Sequence, residues 1–205
     1  MTQAIPQGMT LEQFFDWDPG DERRYELIDG AIVEVQPTGL HEEIAGFLAL
    51  ELGIEIRRTG LPYFTPRDCV VKPAHTSRSG YRPDGIVLDR TAIAEEPLWE
   101  QRSTVTKGSS VRLVVEVVST NWRDDYLKKL ADYEALGIAE YWIVDYLALA
   151  ASRYIGNPKQ PTISVFALVN GEYQMSQFRQ GDRLISAVFP NLALTADQVF
   201  AAGLS

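Results

Sequence analysis

The sequence predicts an α/β fold in which a mixed β-sheet is flanked by helices. Residues 111–145 have the pattern of a strand, a helix and a second strand, and such a βαβ unit implies parallel strands. Residues 25–35 form two short alternating runs around Asp29-Gly30, which predicts an antiparallel hairpin. Residues 162–187 contain three further runs separated by Asn-Gly and Gln-Gly, which predict extra C-terminal antiparallel strands.

Length and composition favour a single domain. The chain has 205 residues, and we expect one domain over residues 1–205, with a core at about 10–147 and a C-terminal β extension at about 148–205. No apolar run reaches the length of a membrane span, and the N-terminal residues lack the pattern of a signal peptide. We therefore expect a cytoplasmic protein.

Charge and metal-binding residue types narrow the chemistry. The formal net charge of −9 counts against a general nucleic-acid binder, although a local patch of arginine and lysine can override the mean. Cys69 is the one cysteine, which excludes an internal disulfide and a cysteine-based zinc site. Because His41 and His75 are the only histidines, a metal would be held mainly by carboxylates, which suits Mg²⁺ or Mn²⁺.

The N-terminal elements begin with a short helix at residues 9–17, where a threonine is followed three residues later by glutamine in a capping-box pattern. The hairpin of residues 25–35 carries Glu26 on its first strand, either as an exposed residue or near an active site. Residues 41–59 predict a long helix with His41 on its inward side. A histidine there serves either as a core or capping group or in catalysis.

The middle of the chain places an aspartate at the entrance to a strand. Residues 61–64 and 68–73 predict two strands. Residues 82–89 contain Pro-Asp-Gly, which is typical of a turn, but an apolar strand follows at once, so Asp84 lies at its start. Residues 89–110 predict a long polar connection with one helical turn.

The most informative stretch begins with residues 113–118, an apolar run that Glu116 interrupts. A short β-branched run of this kind is typical of a strand buried on both faces. Burial of an ionised carboxylate is strongly unfavourable unless a cation meets it, so Glu116 is neutral, paired or bound to a metal. The helix predicted at residues 124–136 offers the cation, since Lys129 falls on its inward stripe.

The C-terminal part completes the sheet. Residues 140–145 predict the second strand of the βαβ unit. Residues 162–169, 173–180 and 182–187 predict antiparallel strands, and residues 195–202 predict a terminal helix. The apolar tail strands could supply a sheet edge for a two-fold homodimer.

Asp84, Glu116 and Lys129 form a candidate catalytic set. Two carboxylates from neighbouring strands can hold a hard divalent cation, and a lysine beside them can orient or deprotonate water or stabilise negative charge on a phosphate. This is the chemistry of metal-dependent phosphodiester hydrolysis. The structural alternatives are Asp84 as a turn residue, Glu116 as a buried structural acid and Lys129 as a surface lysine with its stem on apolar surface.

Five segments together carry a family resemblance. They are YELIDG at residues 25–30, His41 at the start of a helix, RPDGIVLD at 82–89, VVEVVS at 114–119 and DYLKKLADYEALGIAEYWIVD at 125–145. The chain resembles the PD-(D/E)xK nuclease superfamily, specifically the bacterial Uma-type group of restriction-endonuclease-like proteins. The resemblance covers most of the chain and implies a restriction endonuclease-like core.

The resemblance also implies a metal site. It makes Asp84 the first metal ligand, Glu116 the second and the backbone carbonyl of Val117 a further one. The sequence departs from the E-x-K form, because Val118 stands where that form has lysine. In this group the lysine is displaced to the next helix, where Lys129 fits.

The implied activity is that of a divalent-metal-dependent endonuclease that hydrolyses DNA, with Mg²⁺ or Mn²⁺ as cofactor. Glu26, His41 and Asp125 would be accessory groups, and Asp125 lies one helical turn before Lys129, where the two can pair. Two alternatives stay open. One is a non-catalytic nucleic-acid-binding or interaction module on the nuclease fold, and the other is a metal-dependent phosphohydrolase with a non-DNA substrate.

Overall fold

A computed structural model describes residues 8–17, 19–21 and 23–203 of the chain. The helices, in chain order, are α1 Leu11–Asp16, α2 Gly39–Thr59, α3 Trp99–Arg102, α4 Leu130–Leu136, α5 Ser152–Ile155 and α6 Ala196–Ala201. The strands are β1 Arg24–Ile28, β2 Ala31–Val35, β3 Tyr63–Phe64, β4 Val70–Val71, β5 Gly85–Asp89, β6 Thr104–Val105, β7 Val111–Val117, β8 Glu140–Asp145, β9 Thr162–Val169 and β10 Glu172–Phe178. A π-helical segment, Asp124–Lys129, runs directly into α4, and short 3₁₀ turns lie at Ile93–Glu95 and Gly108–Ser110.

The central element is a mixed sheet with the strand order β10-β9-β8-β7-β5-β3. The strands β7 and β8 are parallel, with Glu116 opposite Ile143, and the π-helical segment and α4 connect them. The other neighbouring pairs of this sheet are antiparallel. The mixed sheet flanked by helices confirms the predicted fold class, and its centre is the predicted βαβ unit.

The two faces of β7 are buried against different partners. Val115 and Val117 pack in a core that includes Leu48 of α2 and Val199 of α6. Successive side chains of a strand point to opposite faces, so Glu116 points to the other side. That side holds a second core in which Val114 and Val118 pack with Tyr133 of α4. This alternation directs Glu116 toward the helical segment that carries Lys129.

Two local sequence signals in the N-terminal part of the chain are confirmed. Thr10 caps α1 in the predicted capping box with a glutamine three residues later, and the structure shows the same arrangement at Thr195 of α6. Asp29 and Gly30 join β1 and β2 with φ angles of 50° and 82°. Positive φ at both positions is typical of the tight turn that matches the twist of a hairpin.

The C-terminal tail differs from the prediction in its third strand. Residues 182–187 do not form a strand; they make one isolated bridge, between Arg183 and Thr195. The reason is the buried carboxylate of Glu140, which accepts hydrogen bonds from the Ser186 hydroxyl and the backbone N–H of Ala187. Glu140 also accepts from the backbone N–H of Val188, and the two backbone N–H groups that it binds are unavailable for a strand ladder.

Three further expectations also need correction. The strand β9 is not a sheet edge, because it lies between β8 and β10. The strands predicted at 61–64 and 68–73 shorten to two residues each. The helix predicted at 124–136 begins with π-helical rather than α-helical geometry.

None of the helices in the described ranges combines the length and apolar character needed to cross a membrane.

Candidate active site

A cavity of about 400 Å³ with several carboxylates in its lining lies where β1, α2, β5 and β7 approach the π-helical segment. We call it the carboxylate cavity. Its lining includes every site residue that the sequence predicted: Glu26, His41, Asp84, Glu116, Val117, Asp125 and Lys129. The structure thus brings together residues that are up to about a hundred positions apart in the chain, and it leaves none of them on a remote surface.

Lys129 forms the centre of the cavity. Its Nζ lies 3.1 Å from Oε2 of Glu116, and 3.6 Å from both Oε2 of Glu26 and Oδ1 of Asp125. Lys129 is 6% exposed and Glu116 is 3% exposed, so the interpretation of Lys129 as a surface lysine is wrong. A buried lysine that faces three carboxylates is held in one position by charge.

The geometry follows from two periodicities. Along β7, alternation turns Glu116 toward the helical side. Along the π-helical segment and α4, Asp125, Lys129 and Tyr133 follow one another at intervals of four residues and all face β7. The Tyr133 hydroxyl donates a hydrogen bond of 2.9 Å to Oε1 of Glu116, so both carboxylate oxygens of Glu116 have a partner.

The second part of the site links Asp84, His41 and Val117. Oδ2 of Asp84 accepts a 2.7 Å hydrogen bond from the backbone N–H of Val117. Nε2 of His41 lies 2.9 Å from the Val117 carbonyl oxygen and 3.2 Å from Oδ2 of Asp84. The entrance of β5, the start of α2 and the end of β7 are therefore joined around one carboxylate. His41 Nδ1 is buried and has no hydrogen-bond partner among the described residues.

Burial and charge oppose each other in this cluster. Burial raises the pKa of Glu116 well above its usual value, Lys129 counteracts the rise in part, and Asp84, Asp125 and Glu26 add to it. Burial lowers the pKa of Lys129, but the facing carboxylates, Glu116 first, outweigh burial and raise that pKa well above its usual value. Lys129 is therefore a stable cation and a poor base at neutral pH.

His41 is biased toward its charged form. Burial alone would lower the pKa of this imidazole, but the hydrogen bond and negative charge of Asp84 outweigh burial and raise it. The protonated ring can donate from Nε2 to both Asp84 and Val117, which fixes the orientation of the Asp84 carboxylate.

Asp125 makes the stability of the protein depend on pH. Burial raises its pKa from 3.8 to about 6, although Lys129 opposes the shift. The native state thus binds this proton more tightly than the unfolded state does. The contribution of Asp125 to the free energy of unfolding is therefore full below pH 3.8 and is lost as pH rises through about 6.

We expect Asp125→Asn to lose less unfolding free energy than the parent as pH rises from 3.8 to about 6, measured by urea unfolding in EDTA. Asp124→Asn, at the more exposed neighbouring position, serves as control, and parallel curves for Asp125→Asn and the parent would contradict the raised pKa.

Two contacts of the site were not predicted from the sequence. Tyr133 is a buried core residue whose hydroxyl also binds Glu116. Its place four residues after Lys129 on the inward stripe is the signal that pointed to this contact. The backbone N–H of Arg82 donates a 3.3 Å hydrogen bond to Oε2 of Glu26. Nothing in the local sequence signals that bond.

The donor set fits a hard divalent cation. Asp84 and Glu116 offer carboxylate oxygens and Val117 a carbonyl oxygen, and all three residues line one cavity. Mg²⁺ characteristically takes one or two protein carboxylates and completes its shell with water and substrate phosphate. In the described part of the chain, no group of three or more His, Cys, Asp or Glu side chains is arranged to hold a metal. The excess of carboxylates that raises the pKa of Glu116 also favours an added cation.

Comparisons with known proteins identify the family and the fold of the chain. The model of the family Uma2, described as "Putative restriction endonuclease", matches residues 11–197. The chain also superposes on a crystal structure described as a putative nuclease belonging to DUF820 from Anabaena variabilis. The TM-score is 0.69 at 17% identity, over 95% of this chain and 99% of that chain. This likeness confirms the restriction endonuclease-like core. No curated protein matches the chain.

Proposed function

The chain belongs to the Uma2 family, and on that premise we propose that it is a divalent-metal-dependent endonuclease of the PD-(D/E)xK type that hydrolyses DNA. One observation carries the proposal: the carboxylate cavity brings Asp84, Glu116 and Lys129 together below an opening to solvent. Structural ion pairs do not need such a cavity. An accessible cluster with displaced pKa values is typical of a catalytic site.

The carboxylates of Asp84 and Glu116 and the carbonyl of Val117 would hold Mg²⁺ or Mn²⁺. When bound, the metal supplies Lewis-acid activation of water and neutralises charge on the phosphate. The protein prepares this donor set in advance, because His41 and the N–H of Val117 fix the orientation of Asp84. Tyr133 fixes Glu116 in the same way from the helical side.

Lys129 acts in this mechanism as a cation rather than as a base. Its raised pKa keeps it protonated. From its position beside Glu116 it stabilises the negative charge that develops on the phosphate oxygens. The protonated amine donates hydrogen bonds and accepts none, so it can also orient the attacking water through one N–H group. Of the lysine roles that the sequence left open, charge stabilisation is the one that this electrostatic environment favours.

The test of this function is a matched pair of aspartate variants. Asp84→Asn keeps the shape of the side chain but removes its charge, so we expect Mn²⁺ affinity to fall by about 100-fold. DNA cleavage should fall by about 10²- to 10⁴-fold. Asp89→Asn is the control. Asp84 directly precedes β5 and Asp89 is its last residue, where Oδ1 of Asp89 accepts a hydrogen bond from the backbone N–H of Thr91. It should keep both properties.

The readouts are calorimetric Mn²⁺ titration, with and without a DNA oligonucleotide, and the nicking of supercoiled plasmid. Cleavage by the parent in EDTA, or by Asp84→Asn at the parental rate, would refute a metal-dependent mechanism. A parent that binds Mn²⁺ but cleaves only small phosphodiesters would identify a phosphohydrolase. A parent that neither binds Mn²⁺ with DNA present nor cleaves would identify a non-catalytic module.

A further inference from the structure

A second cavity, of about 440 Å³, lies beside the first and has a different chemical character. Its charged lining consists of four arginines and one aspartate: Arg23, Arg24, Arg82, Arg102 and Asp68. Its apolar lining is mostly aromatic and includes Phe15, Trp17 and Tyr25. We call it the arginine–aromatic cavity. The charged lining is thus mostly basic in a chain with a net charge of −9, and each arginine is paired with a nearby carboxylate.

The aromatic side chains form a pre-built platform. The helix α1 buries Phe14 and leaves Phe15 and Trp17 half-buried at its end. Trp17 meets the ring of Tyr25 edge to face, at 5.0 Å between centroids, and lies 6.3 Å from Phe14. These contacts restrict the indole while part of its surface stays accessible. A restricted, partly exposed aromatic ring is suited to stacking with a planar ligand.

The arginines are held by exposed carboxylates. Arg102 lies 2.9 Å from Asp16, and Arg24 lies 3.7 Å from Asp68, with exposed side chains on both sides of each pair. Ion pairs of this exposed kind contribute little to stability, so their guanidinium groups remain available to another anion. A phosphate can accept paired hydrogen bonds from a guanidinium, which makes it a strong competitor.

Arg82 connects the two cavities and lines both. Its backbone N–H donates to Glu26 of the carboxylate cavity. Its guanidinium donates from Nε to the Tyr25 carbonyl oxygen at 2.9 Å and also pairs with Asp68 in the arginine–aromatic cavity. The two cavities therefore share Arg82 as part of their lining. A polymer with a repeating phosphate could occupy both cavities with neighbouring units.

We propose that the arginine–aromatic cavity binds an unpaired nucleotide next to the phosphodiester that is cleaved in the carboxylate cavity. The arginines bind the phosphate of this nucleotide, and its base stacks against Trp17. The inference rests on the proposed nuclease function, and it adds a preference for DNA that is single-stranded beside the cleaved bond. An acidic peptide would use the arginines but would leave the aromatic platform without a planar partner.

Binding can be tested separately from cleavage. The probe is a short labelled single-stranded DNA oligonucleotide, followed by fluorescence anisotropy with the full chain in EDTA at low salt. We expect Trp17→Ala to weaken binding about 10-fold, because stacking on one aromatic side chain is lost. Arg102→Ala should weaken binding and make the salt dependence less steep, with a slope smaller by about one. Arg153→Ala is the control, since Arg153 is exposed on α5 and lines neither cavity.

A second measurement uses tryptophan fluorescence and a variant that keeps an aromatic ring at position 17. The oligonucleotide should quench tryptophan fluorescence of the parent, and Trp17→Phe should keep most of the affinity while losing most of the quenching. A blunt duplex of the same sequence should be less sensitive to Trp17→Ala, because its bases are already stacked.

Parental affinity in Trp17→Ala, or unchanged quenching in Trp17→Phe, would overturn the inference. An equal effect of Trp17→Ala on duplex DNA would overturn the preference for an unpaired nucleotide. Competition by polyglutamate at the concentration of the oligonucleotide would show a site for acidic peptides instead. Each of these results is independent of the Asp84→Asn cleavage assay. A failure of the inference is thus distinguishable from a failure of the proposed function.

Discussion

Lys129→Met is expected to reduce DNA cleavage by about 10²- to 10³-fold, because the cation that stabilises charge on the phosphate is lost. It should also lower the unfolding free energy at neutral pH by about 3–5 kcal/mol, the loss typical when one partner of a buried ion pair is removed. Glu116, Glu26 and Asp125 would lose the ammonium group that lies within 3.6 Å of each.

The loss of stability in this variant has a defined pH dependence. Without Lys129, burial raises the pKa of Glu116 and Asp125 further, so the native state binds their protons more tightly than the unfolded state does. The unfolding free energy should then fall as pH rises, and acid should restore part of the stability. Urea unfolding at acidic and neutral pH measures this effect.

The matched control is Lys128→Met, at the neighbouring position. Lys128 is half-buried and pairs with Asp29 at 2.9 Å and Asp132 at 3.4 Å, outside the carboxylate cavity. We expect a small effect on stability and little on cleavage. Equal effects of the two substitutions on both measurements would refute the assignment of Lys129.

Gly108→Ala is expected to destabilise the fold by about 3 kcal/mol or more, at the upper end of the range for overpacked positions. A Cβ at Gly108 would lie 2.1 Å from the Leu136 carbonyl oxygen and 2.7 Å from the Gly137 carbonyl carbon. Both are backbone atoms, so no side-chain rotation can relieve the contact. The bend before β7 would have to move away from the end of α4, and the distance between Glu116 and Lys129 would change with it.

Gly46→Ala tests whether this effect comes from the close contact. A Cβ at Gly46 in α2 would meet no atom within 4 Å. Because alanine favours the helix over glycine, we expect Gly46→Ala to stabilise the protein by up to about 1 kcal/mol. Denaturant unfolding of both variants gives the comparison. A Gly108→Ala protein as stable as the parent would show that the two segments can separate freely.

The sequence was most informative where a single periodicity determined the outcome. The apolar run around Glu116 predicted a doubly buried strand, and the helical stripe placed Lys129 on its inward side. The structure confirms both positions. The capping box of Thr10 and the Asp29-Gly30 turn were equally local, and they too are confirmed.

The features that were missed depend on contacts between distant segments. His41 and Val117 are 76 positions apart, and no local pattern specifies their hydrogen bond. Residues 182–187 have strand-like composition, but Glu140 binds donors of this segment from another part of the fold.

The π-helical segment before α4 also limits which insertions and deletions the site can tolerate. A π turn accommodates a wider loop of backbone than an α turn, so Asp124–Lys129 behaves like an α-helix with a residue inserted. Removal of one residue between Asp125 and Lys129 would return the segment to α-helical geometry and reduce their spacing from four residues to three, so the two side chains would no longer face β7 together. The alignment of Asp125 with Lys129 and Tyr133 therefore depends on the number of residues in this segment as much as on their identity.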